Sequence, residues 1–573
     1  MSGSIMWVLY IYFNYIIFLI LYSIVRFYVN MRGFLIGIIF LLLLFLFILL
    51  YHFFEVVFID HIYYLETNCI NFTLGTIELN ISLVIDTLSF LFLLLVIIIG
   101  FTTNIYLLNY FKNEAEEASF TFWLNSFIAS MSLLILSNNF FTLFLGWELI
   151  GLTSFFLINF WSTRRATLKS SFKAFSFNLI SDMCLLVALV FLFLVFGTTD
   201  ILYISIFSEL LLEVEIEYIS YSCLFLLGCA SIKSVQLFGH LWLPDSMEAP
   251  VPASALIHSA TLVSAGVYLL LKFFNIFLFL NYTTLIGIIG AITCAYGGVV
   301  SATQTDMKKL LAYSTMSHCG FLYVTIFFGY FLLTIIYLFL HGIFKAATFY
   351  CVGSFVRIYK TQDIRLMGIG HVILPVDTTL LIICAFNLGG LPFGIGYIYK
   401  SFFFKILLIH TISIWSIGFI LVGLLSSFLY VYRIIYYSCY DYLKGYFNIT
   451  LFYLSKTTTN ITLLKSFYTP ITYISISILL VFSFGVYYIS LYCIDTTLVE
   501  WSSTVPEVLS SVMLIQYYIE LYLVYIYIYY FLYSISIFYI IIFELRFKFL
   551  KIQTFYTLIY LNTFIVSLNI INL

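Results

Sequence analysis

The sequence carries little charge: of 573 residues only 9% are Asp, Glu, Lys or Arg, and the net charge is −2. A weak and balanced charge removes the electrostatic basis for binding nucleic acid. Cysteine is scarce too, with ten scattered residues and no C-x-x-C pair, which speaks against an iron–sulfur cluster, a zinc site or a disulfide framework. Only seven prolines interrupt the chain, so long stretches are free of helix breakers. The N-terminus lacks the Arg- and Ser-rich amphipathic pattern of a transit peptide.

Apolar side chains are what the sequence has in excess. They make up 64% of it, and the mean hydropathy of +1.12 excludes a soluble globular protein. A bilayer offers no water to an open backbone, so each crossing needs about 20 residues of helix. Candidate spans lie near 5–24, 33–52, 86–108, 119–137, 140–160, 174–196, 220–242, 251–272, 282–302, 310–329, 331–355, 376–409, 412–434 and 470–493, with one or two more after 506. The expected fold class is all-α, a polytopic transmembrane bundle of about 14–16 spans. The 64 Phe and 48 Tyr are what AT-rich organelle coding would produce, and point to an organelle-encoded chain.

Basic residues set the expected orientation. Lys112, Arg164, Arg165, Lys169, Lys173, Arg357, Lys360, Arg365, Arg433, Lys444 and Lys456 all follow odd-numbered spans, while the acidic 200–217 loop falls on the other side. The positive-inside rule puts the odd-numbered loops in the matrix or cytoplasm.

Ionisable residues inside spans ask for a function, because each costs at least about 2.5 kcal/mol at the membrane centre. Glu148, Asp182, Lys233, His258, Lys308, Lys309, His341, Lys345 and Lys400 are the candidates. Plainer roles compete. Lys308 and Lys309 fit a snorkelling interfacial pair as well as a relay. His258 fits a packed, hydrogen-bonded core histidine. Asp182 could pair with Lys169 or Lys173. Glu148, Lys233 and Lys400 stand near mid-span and are harder to dismiss. Burial disfavours an ammonium and a nearby carboxylate favours it, so moving the carboxylate loads or unloads a proton.

Helices that break at membrane depth mark ion sites. One break is AFNLGGLPFGIGY, just before Lys400; the other is LPDSMEAPVPASALIHSA at 243–260, shortly after Lys233. The second reads as a turn, with Asp245 solvated, Glu248 near a helix N-terminus, and Pro250 and Pro252 starting the helix that carries His258. The spacing suggests two inverted five-helix repeats. The expected domains are N-terminal spans over 1–112 with an intermembrane-side loop, a first repeat over 113–275, a second over 276–435, and C-terminal spans over 436–573.

These motifs resemble the antiporter-like membrane subunits of respiratory complex I, in particular the NADH dehydrogenase subunit 5 group. The likeness runs from about 80 to 410, through LFLGWELIGLTSFFLINFW, WLPDSMEAPVPASALIHSATLVSAGVYL, DMKKLLAYSTMSHCG, HGIFKAATFYCVGS and GLPF. The stretch from Trp242 to Leu269 is its most specific part.

The resemblance implies a proton-translocating core subunit of NADH:ubiquinone oxidoreductase in the mitochondrial inner membrane. In it Glu148 would couple charge, Lys233 would pump, His258, Lys308, His341 and Lys345 would form the axis, and Lys400 would stand near the exit. FMN, iron–sulfur clusters and ubiquinone would sit in partner subunits, and this chain would hold no cofactor. Expected partners are the other membrane-arm subunits, especially the subunit 4 homologue, and lipids such as cardiolipin.

Three departures stand out. Leu179 replaces an arginine that would accompany Asp182, Tyr337 replaces a second histidine, and Ser401 replaces the acid after Lys400. The tail from 506 to 573 is short for a span, a lateral helix and an anchor, so a lateral helix is expected to be shortened, cryptic or supplied elsewhere. The large subunit of a multisubunit cation/proton antiporter is the competing reading, since it shares this core; a pump-dead structural subunit is a third.

Overall fold

The computed structural model describes residues 2–25, 31–58, 65–74, 77–112, 114, 116–207, 216–368, 370–391, 394–397, 399–401, 403, 414–441 and 474–483. All of these lie in one contact unit, residues 1–494. The expected spans after 506 and nearly all of the 436–573 region, with its lateral helix, lie outside the described residues.

The element order is α1 (Ser2–Val25), α2 (Met31–Phe58), β1 (Leu65–Leu74), β2 (Ile77–Ile85), α3 (Thr87–Tyr110), α4 (Glu117–Leu136), α5 (Phe140–Ile158) and α6 (Arg165–Phe196). Then come α7 (Ile201–Phe207), α8 (Ile216–Lys233), α9 (Val251–Ser259), α10 (Leu262–Lys272), α11 (Phe274–Phe279), α12 (Thr283–Thr303) and α13 (Met307–Phe327). The described fold closes with α14 (Phe331–Tyr359), α15 (Gly370–Ile373), α16 (Pro375–Gly389) and α17 (Ile414–Ile435), followed by a short apolar helix over Ile474–Ser483. Among the described residues ten spans are long and apolar enough to cross a membrane, and three shorter apolar helices accompany them.

Local chemistry sets the boundaries. The Asp86 N–H donates to Ser89 Oγ at 2.8 Å and the Asn139 N–H to Thr142 Oγ1 at 3.3 Å, so α3 and α5 start on satisfied donors. Gly197 ends α6 and Gly390 ends α16, both left-handed, a conformation that costs a residue with a Cβ. Proline near the start of α9 and of α16 loses no helical hydrogen bond there.

Three places differ from the sequence reading. The loop expected within 1–112 contains an antiparallel hairpin, β1 with β2, in register from Leu65↔Ile85 to Leu74↔Ile77. IELNISLVI alternates and is rich in β-branched residues, as a strand requires. Ser82 of this hairpin accepts the Asn138 N–H at 3.2 Å, which ties it to the start of α5. The expected 220–242 span stops as a helix at Lys233, and the expected 251–272 span is divided between α9 and α10.

The core runs through the middle of the bundle. α12 lies along α13 and α17, α14 packs on α9, α13 and α16, and α6 packs on α8. Gly266 allows α10 to close on α8: a Cβ there would stand 2.5 Å from the Ala230 carbonyl. Small residues at such crossings let apolar helices approach where no hydrophobic drive between helices exists in lipid.

Candidate functional site

Lys233, the last residue of α8, is fully buried. Its Nζ donates to the Trp147 carbonyl at 3.1 Å, lies 3.7 Å from Asp182 Oδ1, and stands 5.0 Å from the Trp147 ring centroid. Trp147 is itself held, its Nε1 donating to Ser181 Oγ of α6 at 3.0 Å. The carboxylate against Lys233 is therefore Asp182, on the same helix as the anchor of Trp147. It does not pair with Lys169 or Lys173, and Leu179, in the place of the expected arginine, is exposed. Glu148 is exposed on the outer side of α5. Successive helical residues turn by about 100°, so a helix that points Trp147 inward points Glu148 elsewhere. Glu148 still acts electrostatically on both Asp182 and Lys233.

Beyond Lys233 the backbone leaves the helix, with Val235 and Phe238 at positive φ (61° and 71°). Side chains hold the irregular stretch. Ser234 Oγ and Tyr323 OH are 2.5 Å apart, Thr293 Oγ1 donates to Gln236 Oε1 at 2.6 Å, and Trp242 Nε1 donates to the Ile232 carbonyl at 3.1 Å. Most of this segment is buried, including Ser246, Met247 and Ala249, while the Asp245 side chain remains 41% exposed. Asp245 joins Lys173 of α6 at 2.6 Å. Lys308 is buried and donates to the carbonyls of Met247 (3.3 Å) and Ala249 (3.1 Å), at the end of a short 3-10 helix, Asp245–Glu248. Lys309 turns outward to Asp306 at 3.3 Å. The two lysines thus divide: Lys308 belongs to the interior and Lys309 to the rim.

His258 on α9 is fully buried, with Nε2 3.1 Å from Ser246 Oγ and Nδ1 without a protein partner. The next cation is Lys345 on α14, buried, donating to Ser314 Oγ at 2.5 Å and to the Leu311 carbonyl at 3.2 Å. One turn earlier His341 is buried, its Nε2 also unpartnered. Two unpaired imidazole nitrogens on one axis suit ordered water, because a buried polar atom left bare costs about 1–3 kcal/mol. Lys400 lies past the second break. Gly390 adopts φ 71° and ends α16, and the Gly389 carbonyl accepts from Lys400 Nζ at 2.8 Å, with Ser427 Oγ of α17 also at 2.8 Å.

Sequence reasoning missed several residues of this line. His318 on α13 is bonded at both ring nitrogens, 2.6 Å to Tyr337 OH and 3.0 Å to Tyr430 OH, with its ring centroid 5.0 Å from that of His341. Its signal was present, a mid-span histidine in YSTMSHCGF, passed over beside the more conspicuous Lys308 and Lys309. Ser314, Ser427 and Trp147 are ordinary core residues by composition and could not be singled out. Lys272, at the end of α10, is a further amine in the interior, donating to the Ser137 carbonyl and 3.2 Å from Tyr268 OH. Among the described residues no three His, Cys, Asp or Glu side chains converge as a metal site requires. The groups that do converge are amines, imidazoles, hydroxyls and one carboxylate, whose common chemistry is proton exchange.

Comparison with known proteins places the chain in a family. Residues 137–430 match the family model described as "NADH:quinone oxidoreductase/Mrp antiporter, TM", and residues 72–121 match "NADH-Ubiquinone oxidoreductase (complex I), chain 5 N-terminus". A curated relative from Paramecium tetraurelia, NADH-ubiquinone oxidoreductase chain 5, is 45% identical over 64% of this chain and 66% of its own length. The protein of the same name from Wickerhamomyces canadensis is 34% identical over 69% of this chain and 62% of its own. The chain spans between about half and two thirds of the length of the curated relatives it matches. In fold it is similar to a chain of the Mrp complex from Dietzia sp. DQ12-45-1b, with TM-score 0.64 and 23% identity over 77% of this chain and 47% of that one.

Proposed function

Because the chain belongs to the NADH:quinone oxidoreductase/Mrp antiporter membrane family, we propose that it is the subunit 5 proton-translocating component of a respiratory NADH:ubiquinone oxidoreductase. Quinone reduction takes place in other subunits, and this chain supplies the proton path. One observation carries the reading: buried proton-exchanging groups recur through the bundle, Lys233 with Asp182 at one broken helix, His258, His341 and Lys345 on other helices, and Lys400 at the second break.

In this reading the Asp182 carboxylate and the more distant Glu148 set the charge of Lys233. An ammonium beside a carboxylate is favoured, and withdrawing the negative charge releases the proton. The proton then passes by Ser234, Tyr323 and the water expected at His258 to Lys345, and on to Lys400. Lys308 holds the broken stretch in place through its two carbonyl contacts. Residues 113–275 and 276–435 form the two repeats, each with one lysine beside a break.

The proposed setting is the mitochondrial inner membrane, in contact with other membrane-arm subunits of the complex, the subunit 4 homologue and cardiolipin among them. FMN, iron–sulfur clusters and ubiquinone belong to the partners.

Lys233→Ala in the assembled complex tests the proposal. Protons moved per NADH oxidised should fall while electron transfer to an artificial acceptor persists; an unchanged yield and rate would leave the chain a structural role. The similarity in fold to the Mrp complex favours a second reading, the large subunit of a cation/proton antiporter. Sodium-dependent transport by a preparation free of flavin and iron–sulfur subunits would select it.

A further inference from the structure

We propose that His318 is a proton relay residue that joins the Lys345 and Lys400 sides of the path, working as a unit with Tyr430 and Tyr337. The inference rests on the proton-translocating reading above and deepens it. Lys345 and Lys400 make no direct contact: the first is held by Ser314 and the Leu311 carbonyl, the second by the Gly389 carbonyl and Ser427. His318 lies between their surroundings. Its Nε2 is 3.0 Å from Tyr430 OH, and the Tyr430 ring lies 5.9 Å from Lys345 Nζ. Its Nδ1 is 2.6 Å from Tyr337 OH, and Tyr337 shares with Lys400, Phe321, Tyr399 and Phe403 the lining of one small cavity.

A histidine bonded at both nitrogens is a two-ended carrier. A proton received at Nε2 from the Tyr430 hydroxyl, itself recharged from the Lys345 side, gives an imidazolium. Loss of the Nδ1 proton to Tyr337 then restores a neutral ring in the other tautomer, and Tyr337 passes its own hydroxyl proton into the Lys400 cavity. Neither tyrosine is left ionised, because each gains one proton as it loses one. Rotation of the two hydroxyls restores the direction of their hydrogen bonds, and the tautomer is restored when the ring gives up its Nε2 proton to water and regains one at Nδ1. The titratable groups facing His318 are Tyr337 and His341 of α14, Tyr430 of α17, and, by longer-range charge, Lys345 and Lys400. His341, 5.0 Å away ring to ring with a bare Nε2, provides a water-bridged entry to the same imidazole.

A purely structural role for His318 would require hydrogen bonds alone, which a glutamine can keep. The relay requires a group that takes up and gives back a proton, which a glutamine cannot do. The test compares His318→Gln, the double variant His318→Gln/Tyr337→His, and Lys233→Ala in the assembled complex. Assembly is checked by NADH oxidation with an artificial acceptor, and proton release is followed during quinone reduction. His318→Gln should assemble normally and lower coupled proton release about tenfold or more. Returning an imidazole one hydrogen bond away, at 337, should recover it to within about threefold, although 318 remains glutamine.

Normal pumping by His318→Gln, with Lys233→Ala inactive, would overturn the relay and leave the proposed function standing. Normal pumping by both would overturn the function itself. Loss in His318→Gln without recovery in the double variant, at normal assembly, would reduce His318 to a packing and positioning residue.

Discussion

Lys233 ends its helix against Asp182, whereas Lys400 follows its helix break with a carbonyl and a hydroxyl as its hydrogen-bond partners. Both amines are buried and both lie beside a disrupted helix. The first half therefore balances a charge with a charge. The second half solvates a charge with dipoles, one of them a backbone carbonyl set free where α16 ends. An ion pair is a device for holding a proton until a distant event disturbs the partner, and neutral acceptors are suited to passing one on. On the proposed function the difference suits Lys233 to control and Lys400 to transfer, although the two positions look alike as isolated lysines in apolar runs.

The largest expected effect follows from the charge pair. Asp182→Ala leaves an uncompensated amine in the interior and should destabilise the chain by about 3–5 kcal/mol, read as a shift in unfolding in mixed detergent. Removing both charges, Asp182→Ala with Lys233→Met, should cost less than the two single changes summed, because the second change relieves the first. Strict additivity would mean that 3.7 Å is a proximity without coupling, and the comparison between the two halves would collapse.

Lys400→Met is the counterpart. It leaves no charge unpaired, and the Ser427 hydroxyl keeps its bonds to the carbonyls of Leu424 (2.6 Å) and Gly389 (3.3 Å), so the cost should be about 1 kcal/mol, while coupled proton release is lost as fully as with Lys233→Ala. Equal losses of stability at both lysines would break the distinction between charge-paired and dipole-paired sites.

Glycines beside the two lysines sharpen it further. Gly390 has φ 71°, and a Cβ there would stand 2.4 Å from Lys400 Cδ. Gly390→Ala should cost about 1–2 kcal/mol from the left-handed backbone alone and displace the amine, lowering proton release in the assembled complex. Gly151 lies beside Lys233, but a Cβ would meet the Nζ only at 3.5 Å, ordinary contact. Gly151→Ala should change stability by less than about 0.5 kcal/mol and leave pumping intact.

Much of this was readable from the sequence, and the limits have physical causes. The helical membrane class follows from hydropathy, and the two breaks follow from glycine and proline next to lysine. Sequence periodicity identifies that a charge lies in a span but not which way it faces. That is why the sequence allows Asp182 to pair with Lys169 or Lys173, where the structure sets it against Lys233, and why it does not tell Lys308 from Lys309. The 243–260 stretch reads as a solvated turn because it is polar; the Asp245 side chain does stay partly exposed while pairing with Lys173, but Ser246 and Met247 beside it are buried, and the Lys308 amine holds the carbonyls of Met247 and Ala249. Tyr337 looked like the loss of a proton carrier. Its hydroxyl sits on His318, a contact between helices that no spacing rule within one helix could reveal. The hairpin of β1 and β2 falls in the stretch read as a loop, where two short alternating runs give a weaker signal than the long apolar spans on either side.

The smallest expected effects concern the surface ion pairs of the same two halves. Lys173–Asp245 has side chains 36% and 41% exposed and links α6 to the broken stretch; Arg365–Asp363 lies within one turn at the start of a 3-10 helix, Ile364–Leu366. Exposed pairs contribute little, so Lys173→Ala should cost less than about 1 kcal/mol, and the loss should shrink as salt is raised. Hydrogen bonds from the Arg365 guanidinium hold the Asp363 carboxyl below its ordinary value of 3.8. A carboxyl lowered by folding stabilises the folded chain above its unfolded pKa, and that contribution disappears as pH falls through the folded value. Arg365→Ala should therefore lower stability slightly at neutral pH, and the difference from the parent chain should disappear as pH falls below about 4. Because Arg365 ties no two helices together, its removal should not alter proton release at any salt concentration. Lys173→Ala, which loosens the segment between Lys233 and His258, should lower proton release at low salt if that segment must stay fixed for transfer, and an unchanged rate would show that Lys308 alone is enough to hold it.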